Sequence, residues 1–193
     1  MRLLLARHGE TDWNAAGRIQ GQSDTALNAR GQEQAKALAR RLLDRGEQVE
    51  RIYTSPQRRA RETAGLAGEL LGLCPKSLPA LREISFGHWE GCSWPEIRAR
   101  WPEEYWYCEA DRLDRAPAEG ETFREMLERV LPALGEITAG PERSVLVVTH
   151  SAVIRGVRCW LGGGDFSRLD QIRRLENARW FEVDAGRVTE WAF

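Results

Sequence analysis

The sequence predicts an α/β fold, a three-layer α-β-α sandwich with a mainly parallel central sheet, and three observations carry that prediction. The runs RLLLA (2–6) and SVLVVT (144–149) are short, unbroken and apolar, as strands covered on both faces are. Stretches with apolar residues at helical spacing follow them. Strand then alternates with helix along the chain, which favours parallel pairing through helical crossovers.

The elements follow in order. After the first strand, residues 9–27 are polar, contain Gly17 and Gly21 and show no period, so a long loop is expected. Asn28 can cap a helix over about 29–45, where Ala35, Leu38, Ala39, Leu42 and Leu43 keep helical spacing, and Gly46 ends it. RIYTS (51–55) reads as a strand, and Ser55-Pro56 as a helix start with proline in the first turn. Ala60, Ala64, Ala67, Leu70 and Leu71 carry that helix to Gly72. Ser93-x-x-Glu96 and Thr122-x-x-Glu125 are capping boxes, so helices should begin near 94 and 123. A helix over about 151–161 follows the second apolar strand, and 179–191 reads as a closing hairpin across Ala185-Gly186. The aromatic segment 91–120 is expected to be a small helical insertion packed over the sheet.

Length and composition bound the rest. With 193 residues, one domain spanning 1–193 is expected. A net charge of -1 gives no pull toward nucleic acid or an anionic membrane, and the arginines alternate with acids rather than tracking a backbone. The chain holds 26 arginines and two lysines, a bias read for most of them as codon usage. Four cysteines lie far apart, with neither C-x-x-C pairs nor zinc-type spacing, so no metal and no cofactor is expected. Met1 runs straight into a strand pattern without a basic-then-apolar leader or a membrane-length apolar run, so a cytoplasmic location is expected.

The chemistry gathers at strand ends. Both apolar strands end on a histidine, LLLARH at His8 and VLVVTH at His150, and the chain has only three histidines. In α/β sheets functional residues collect at the carboxyl ends of strands. Arg7 precedes His8, and SPQRRARETA (55–64) places Arg58 and Arg59 on the first turn of a helix, whose amides already favour an anion. Arg58 and Arg61 read as a solvated helix face. Two imidazoles, at least two guanidiniums and a helix N-terminus form a site for a dianionic tetrahedral group, a phosphate. A neutral imidazole can serve as nucleophile and split the transfer into two displacements. For a proton donor, LREISFGHWEG (81–91) offers Glu83 and Glu90, and the residues alone do not choose between them.

Arg7-His8-Gly9-Glu10-Thr11 with Asn14 resembles the signature of the histidine phosphatase superfamily, the phosphoglycerate mutase-like fold. GRIQGQSDTALNARGQEQA, SPQRRARETA, LREISFGHWEG, GETF and VTHSAVIR follow in the family's order, so the resemblance spans nearly the whole chain. It implies that His8 is the phosphate-accepting nucleophile and Arg7 its phosphate-binding neighbour. It selects Arg59, the arginine before alanine, over Arg58, and Glu83 as the acid that protonates the leaving group and then activates water. Glu90 becomes structural. His150 matches the second pocket histidine and Asn14 a further phosphate contact, while Gln20 and Gly21 border the pocket. Ser151 stands where many members have glycine. His88 matches no functional position and reads as a surface or insertion contact.

The resemblance implies a metal-independent phosphomonoester hydrolase acting on a small molecule. The short chain and its aromatic 91–120 segment look like the phosphatase branch, similar to alpha-ribazole and broad-specificity phosphatases. A bisphosphoglycerate-dependent mutase and a non-catalytic phosphate-binding protein are the rival readings. Tryptophans 89, 94, 101 and 106 read either as a wall for a bulky alcohol or as core of the insertion. The C-terminal hairpin offers an edge for a homodimer.

Overall fold

The computed structural model describes residues 1–184. Its sheet has five strands in the order β3-β2-β4-β1-β5. They are β1 (Arg2–Arg7), β2 (Arg51–Thr54), β3 (Lys76–Ser77), β4 (Ser144–Thr149) and β5 (Trp180–Asp184). The first four run parallel, and β5 pairs antiparallel with β1 at the edge. The described half of the expected closing hairpin is therefore β5, and the turn at Ala185-Gly186 with its second arm lies outside the described residues.

Alternation along the central strands divides the core. Leu3, Leu5, Val145 and Val147 face α6 (Phe123–Thr138) and α7 (Ser151–Leu161). Leu4, Ala6, Leu146 and Val148 face α2 (Ala29–Asp44) and α3 (Arg58–Leu71). Two apolar faces each covered by two helices make the predicted three layers. No helix among the described residues is long and apolar enough to cross a membrane.

Local signals explain most boundaries. Asn28 accepts from the Gly31 amide at 2.8 Å and starts α2. The boxes at Ser93 and Thr122 start α4 (Trp94–Arg100) and α6. Gly72 closes α3 with a left-handed φ of 69°, which glycine adopts without strain. The loop 9–27 is not wholly irregular: Thr11 and Asn14 form a capping box on the short helix α1 (Asp12–Ala15).

One predicted boundary is displaced. The helix expected to start at Pro56 begins at Arg58, after Gln57. Ser55 and Gln57 have other partners: the Ser55 hydroxyl lies 2.7 Å from His150 Nε2, and the Gln57 amide bridges two loops. Arg58 N is instead capped from outside, donating to Asp24 at 2.6 Å.

The segment 91–120 contains α4 and α5 (Pro102–Ala110). Its buried Ile97, Tyr105 and Cys108 form a third apolar cluster with Ile19 and Trp89, against which Trp94 and Trp101 pack. Trp89 is buried in this cluster and Trp94 and Trp101 are partly buried against it, while Trp106 is 66% exposed; Trp89, Trp94 and Trp106 also line the large cavity of the molecule, so packing and cavity wall coexist.

Candidate active site

The parallel register places Arg7 opposite Thr149, so the next residues, His8 and His150, emerge side by side. Their ring centroids are 5.2 Å apart. Both rings are buried, at 2% and 0% exposure. His8 Nδ1 is 2.7 Å from the Gly9 carbonyl. A carbonyl can only accept, so Nδ1 carries the proton and Nε2 keeps a free lone pair. Burial, reinforced by Arg59 and Arg7, holds the His8 pKa well below its ordinary 6.5. His150 is depressed in the same sense by burial, Arg59 and His8. Its Nε2 meets Ser55, and its buried Nδ1 has no partner among the described residues.

Neutral burial of two imidazoles makes stability depend on pH. Both folded pKa values are depressed, so this contribution is present above pH 6.5 and is lost as pH falls below it, where the unfolded chain takes up the protons. Each histidine adds about 1.4 kcal/mol per pH unit to that slope. Glu83, whose pKa is raised, works in the opposite direction. A His8→Asn variant is therefore expected to lose less melting temperature between pH 7.5 and 5 than the parent, as thermal unfolding at each pH would read. An identical slope would contradict it.

The guanidiniums are anchored by backbone carbonyls. Arg59, on the first turn of α3, is 1% exposed and donates to Ser23 O and Gly21 O, both at 2.7 Å. Arg7 donates to Leu175 O at 2.8 Å. The Nε of each is buried without a partner among the described residues. Burial lowers the Arg59 pKa to about 10, which still leaves it charged at neutral pH. Arg58 instead pairs with Glu62 on the surface, as expected of a solvated face.

The two candidate carboxylates separate by surroundings. Glu83 accepts from the amides of Ile84, Ala152 and Val153 at 3.1–3.3 Å, so it sits on the N-terminus of α7. Burial nevertheless raises its pKa above the ordinary 4.5. Glu90 is committed elsewhere, accepting from Gln22 N, Ser23 N and Oγ, and Phe86 N. It fixes the loop whose carbonyls hold Arg59. Gly21 lies in that loop at φ 50°, and a Cβ there would meet Glu90 Oε1 at 2.0 Å. Glu90→Gln, which can accept on one oxygen only, is expected to lower kcat/KM about tenfold by loosening Arg59. Inorganic phosphate should weaken in parallel as an inhibitor, and unchanged inhibition would contradict this positioning.

A cavity of about 810 Å³ opens over these groups, lined by Arg7, His8, Asn14, Arg59 and Glu83 together with Gln20, Gly21 and Ser151. His150 is not among its lining residues. Asn14 Oδ1 accepts from Thr11 N and Asn177 Nδ2, and Asn177 also donates to His8 O at 3.0 Å. Gln20 Oε1 accepts from Thr11 and Thr25, which ties it into the loop as much as into the cavity. His88 pairs with Glu104 at 3.0 Å and packs edge-on against Trp101, a contact of the 91–120 segment. No group of three or more His, Cys, Asp or Glu among the described residues is placed to hold a metal ion.

Ser55, Gln57 and Asn177 were not legible as site residues. Gln57 donates to Gly21 O and accepts from Glu83 N, linking the Arg59 loop to the acid. Only its place at a strand-to-helix junction hinted at this, and Asn177 gave no signal.

The chain is similar to known proteins over most of its length. The chain matches the histidine phosphatase superfamily (branch 1) over residues 3–190. A metal-independent phosphoserine phosphatase of Arabidopsis thaliana is 38% identical over 159 residues, 80% of this chain and 66% of that protein. The glucosyl-3-phosphoglycerate phosphatase of Mycolicibacterium vanbaalenii is 33% identical over 192 residues, 94% of this chain and 83% of the relative. A mycobacterial glucosyl-3-phosphoglycerate phosphatase solved in complex with VO3 superimposes with a TM-score of 0.85 at 32% identity, covering 95% and 92% of the two chains. The chain belongs to the histidine phosphatase superfamily, and it is an enzyme of the phosphatase type.

Proposed function

We propose that the chain hydrolyses a small phosphomonoester in two steps through a phosphohistidine on His8. The observation that carries this reading is the His8 ring: neutral, locked by Gly9 through Nδ1, and free at Nε2 beside two buried guanidiniums. In the first step Nε2 attacks phosphorus, the P–O ester bond breaks, and Glu83 gives its proton to the departing alkoxide. In the second, water attacks the phosphohistidine while Glu83 takes its proton. The P–N bond breaks, phosphate leaves and the Nε2 lone pair is restored.

Arg7, Arg59 and Asn14 hold the phosphoryl oxygens from the cavity wall, with Gln20, Gly21 and Ser151 bordering them. Fixed cations aimed at the equatorial oxygens stabilise charge in the transition state without reorganising. His150 backs the His8 ring, 5.2 Å away between centroids, and steadies it from outside the cavity lining. Burial raises the Glu83 pKa, so its acid form persists to higher pH than an ordinary carboxyl's, and kcat should fall as pH rises through that elevated value. The neutral nucleophile persists below pH 6.5, so the acid side should show no loss at that value.

We take 1–193 as one domain, with 91–120 lying over the cavity mouth and Trp106 on its exposed rim, acting on a small molecule in the cytoplasm. The test is phosphate release from a panel of phosphomonoesters with EDTA present, with phosphoglycerate isomer conversion followed separately. Release without metal supports the reading. Isomer conversion only when bisphosphoglycerate is supplied would replace it with a mutase, and silence in both assays with a binding protein.

A further inference from the structure

The segment that carries Glu83 is neither strand nor helix: residues 82–85 run between two short turns, Pro79–Leu81 and Gly87–Trp89. No ladder fixes this backbone, yet its polar groups need partners. Four consecutive carbonyls find them in side chains. Thr149, at the end of β4, donates to Leu81 O at 2.9 Å. Arg129, on α6, takes the other three. Its Nη1 donates to Ala80 O at 2.6 Å and Arg82 O at 2.8 Å, and its Nη2 to Glu83 O at 3.1 Å.

The rest of that guanidinium is spent on one carboxylate. Nε and Nη2 donate to the two oxygens of Glu121 at 2.7 and 2.8 Å. All five N–H groups of Arg129 are therefore used, in the planar fork that only arginine offers. Glu121 turns back to the same segment and accepts from Ser85 N at 3.3 Å. Gln57 takes the Glu83 amide from the opposite side at 2.7 Å.

Glu83 is held at both ends, and the firmer hold is on its backbone. The amides of Ala152 and Val153 reach its carboxyl only at 3.3 Å, which leaves the carboxyl able to turn toward a leaving oxygen. Glu83 lines the cavity and Arg129 does not. Any effect of Arg129 on the reaction must therefore pass through the groups it holds.

We propose that Arg129, braced by Glu121, is a positioning residue for the acid: it fixes the backbone on which Glu83 stands, and so the distance between the Glu83 carboxyl and the departing alcohol. This rests on the phosphatase reading above. A displacement of about 1 Å in such a group costs up to about 100-fold in rate.

The test uses the purified chain with EDTA, on glycerol 3-phosphate and p-nitrophenyl phosphate. The ratio kcat/KM reports the first step, in which the alcohol leaves and only the alkyl ester needs the Glu83 proton. Arg129→Gln is expected to lower kcat/KM about 10- to 100-fold on glycerol 3-phosphate. On p-nitrophenyl phosphate kcat/KM should stay within about threefold while kcat falls, because the second step needs Glu83 as base. Arg129→Lys keeps the charge with three N–H groups in place of five and should show the same split at reduced size. It also carries the test if Arg129→Gln does not fold, with thermal unfolding of each variant read alongside. In a Glu83→Gln background, Arg129→Gln should add no further loss on either ester. Equal changes on the two esters, none included, or a loss that adds in full to that of Glu83→Gln, overturn the positioning role and leave the phosphatase reading standing. No turnover of any ester by the parent chain overturns both.

Discussion

Replacing His8 with alanine is expected to lower kcat by about 10⁴-fold or more, because it removes the atom to which phosphorus bonds. The remaining guanidiniums would still gather the phosphoryl group, so binding of inorganic phosphate should survive while turnover does not. The loss should not come from unfolding. His8 is small, its ring hydrogen bond is local to Gly9, and its neighbours on β1 are held by the sheet. Steady-state kinetics with phosphate inhibition measured on the same preparation would check this. Turnover within about tenfold of the parent would remove His8 from the centre of the chemistry.

Glu83→Gln is expected to have the second largest effect, about 10²- to 10⁴-fold in kcat, with a dependence on the leaving group that identifies its role. Esters of alkyl alcohols need the proton and should suffer in the first step. p-Nitrophenolate leaves without one, so its ester should still phosphorylate the variant and then stall at hydrolysis. The variant should therefore release a burst of nitrophenol of about one equivalent and accumulate phosphoenzyme. The falling limb of the pH profile assigned to Glu83 should vanish at the same time. Equal losses on both classes of ester, without a burst, would show that Glu83 only shapes the pocket.

The sequence revealed those parts of the molecule where one physical signal dominates. β1 and β4 are unbroken apolar runs because both faces are covered, and each stops where polar chemistry begins, at Arg7-His8 and Thr149-His150. Caps at Asn28, Ser93 and Thr122 use local side-chain-to-amide bonds, which spacing alone can announce. The start of α3 was misplaced because Ser55 and Gln57 are held by His150, Gly21 and Glu83, contacts between residues 26 to 95 positions apart. β3 is two residues long and exposed, so it leaves no hydrophobic pattern. Glu83 and Glu90 look alike in sequence. They differ only in what surrounds them, the N-terminus of α7 for one and the Gln22-Ser23 amides for the other. The aromatic pattern of 91–120 gave no sign that Arg98, Arg112 and Arg115 all line the cavity. Which way a side chain on a short helix faces depends on packing, here the small cluster around Trp89 and Tyr105.

The central claim is that phosphate passes through His8. Its most direct test is to mix the enzyme with p-nitrophenyl phosphate, quench within milliseconds in alkali, where phosphohistidine survives, and locate the added phosphoryl group by peptide mass analysis. One phosphoryl group on the peptide bearing His8, lost on brief acid treatment and enriched in Glu83→Gln, is the expected result. An unmodified His8 peptide throughout turnover, in the parent and in Glu83→Gln alike, would contradict it and point to direct attack by water.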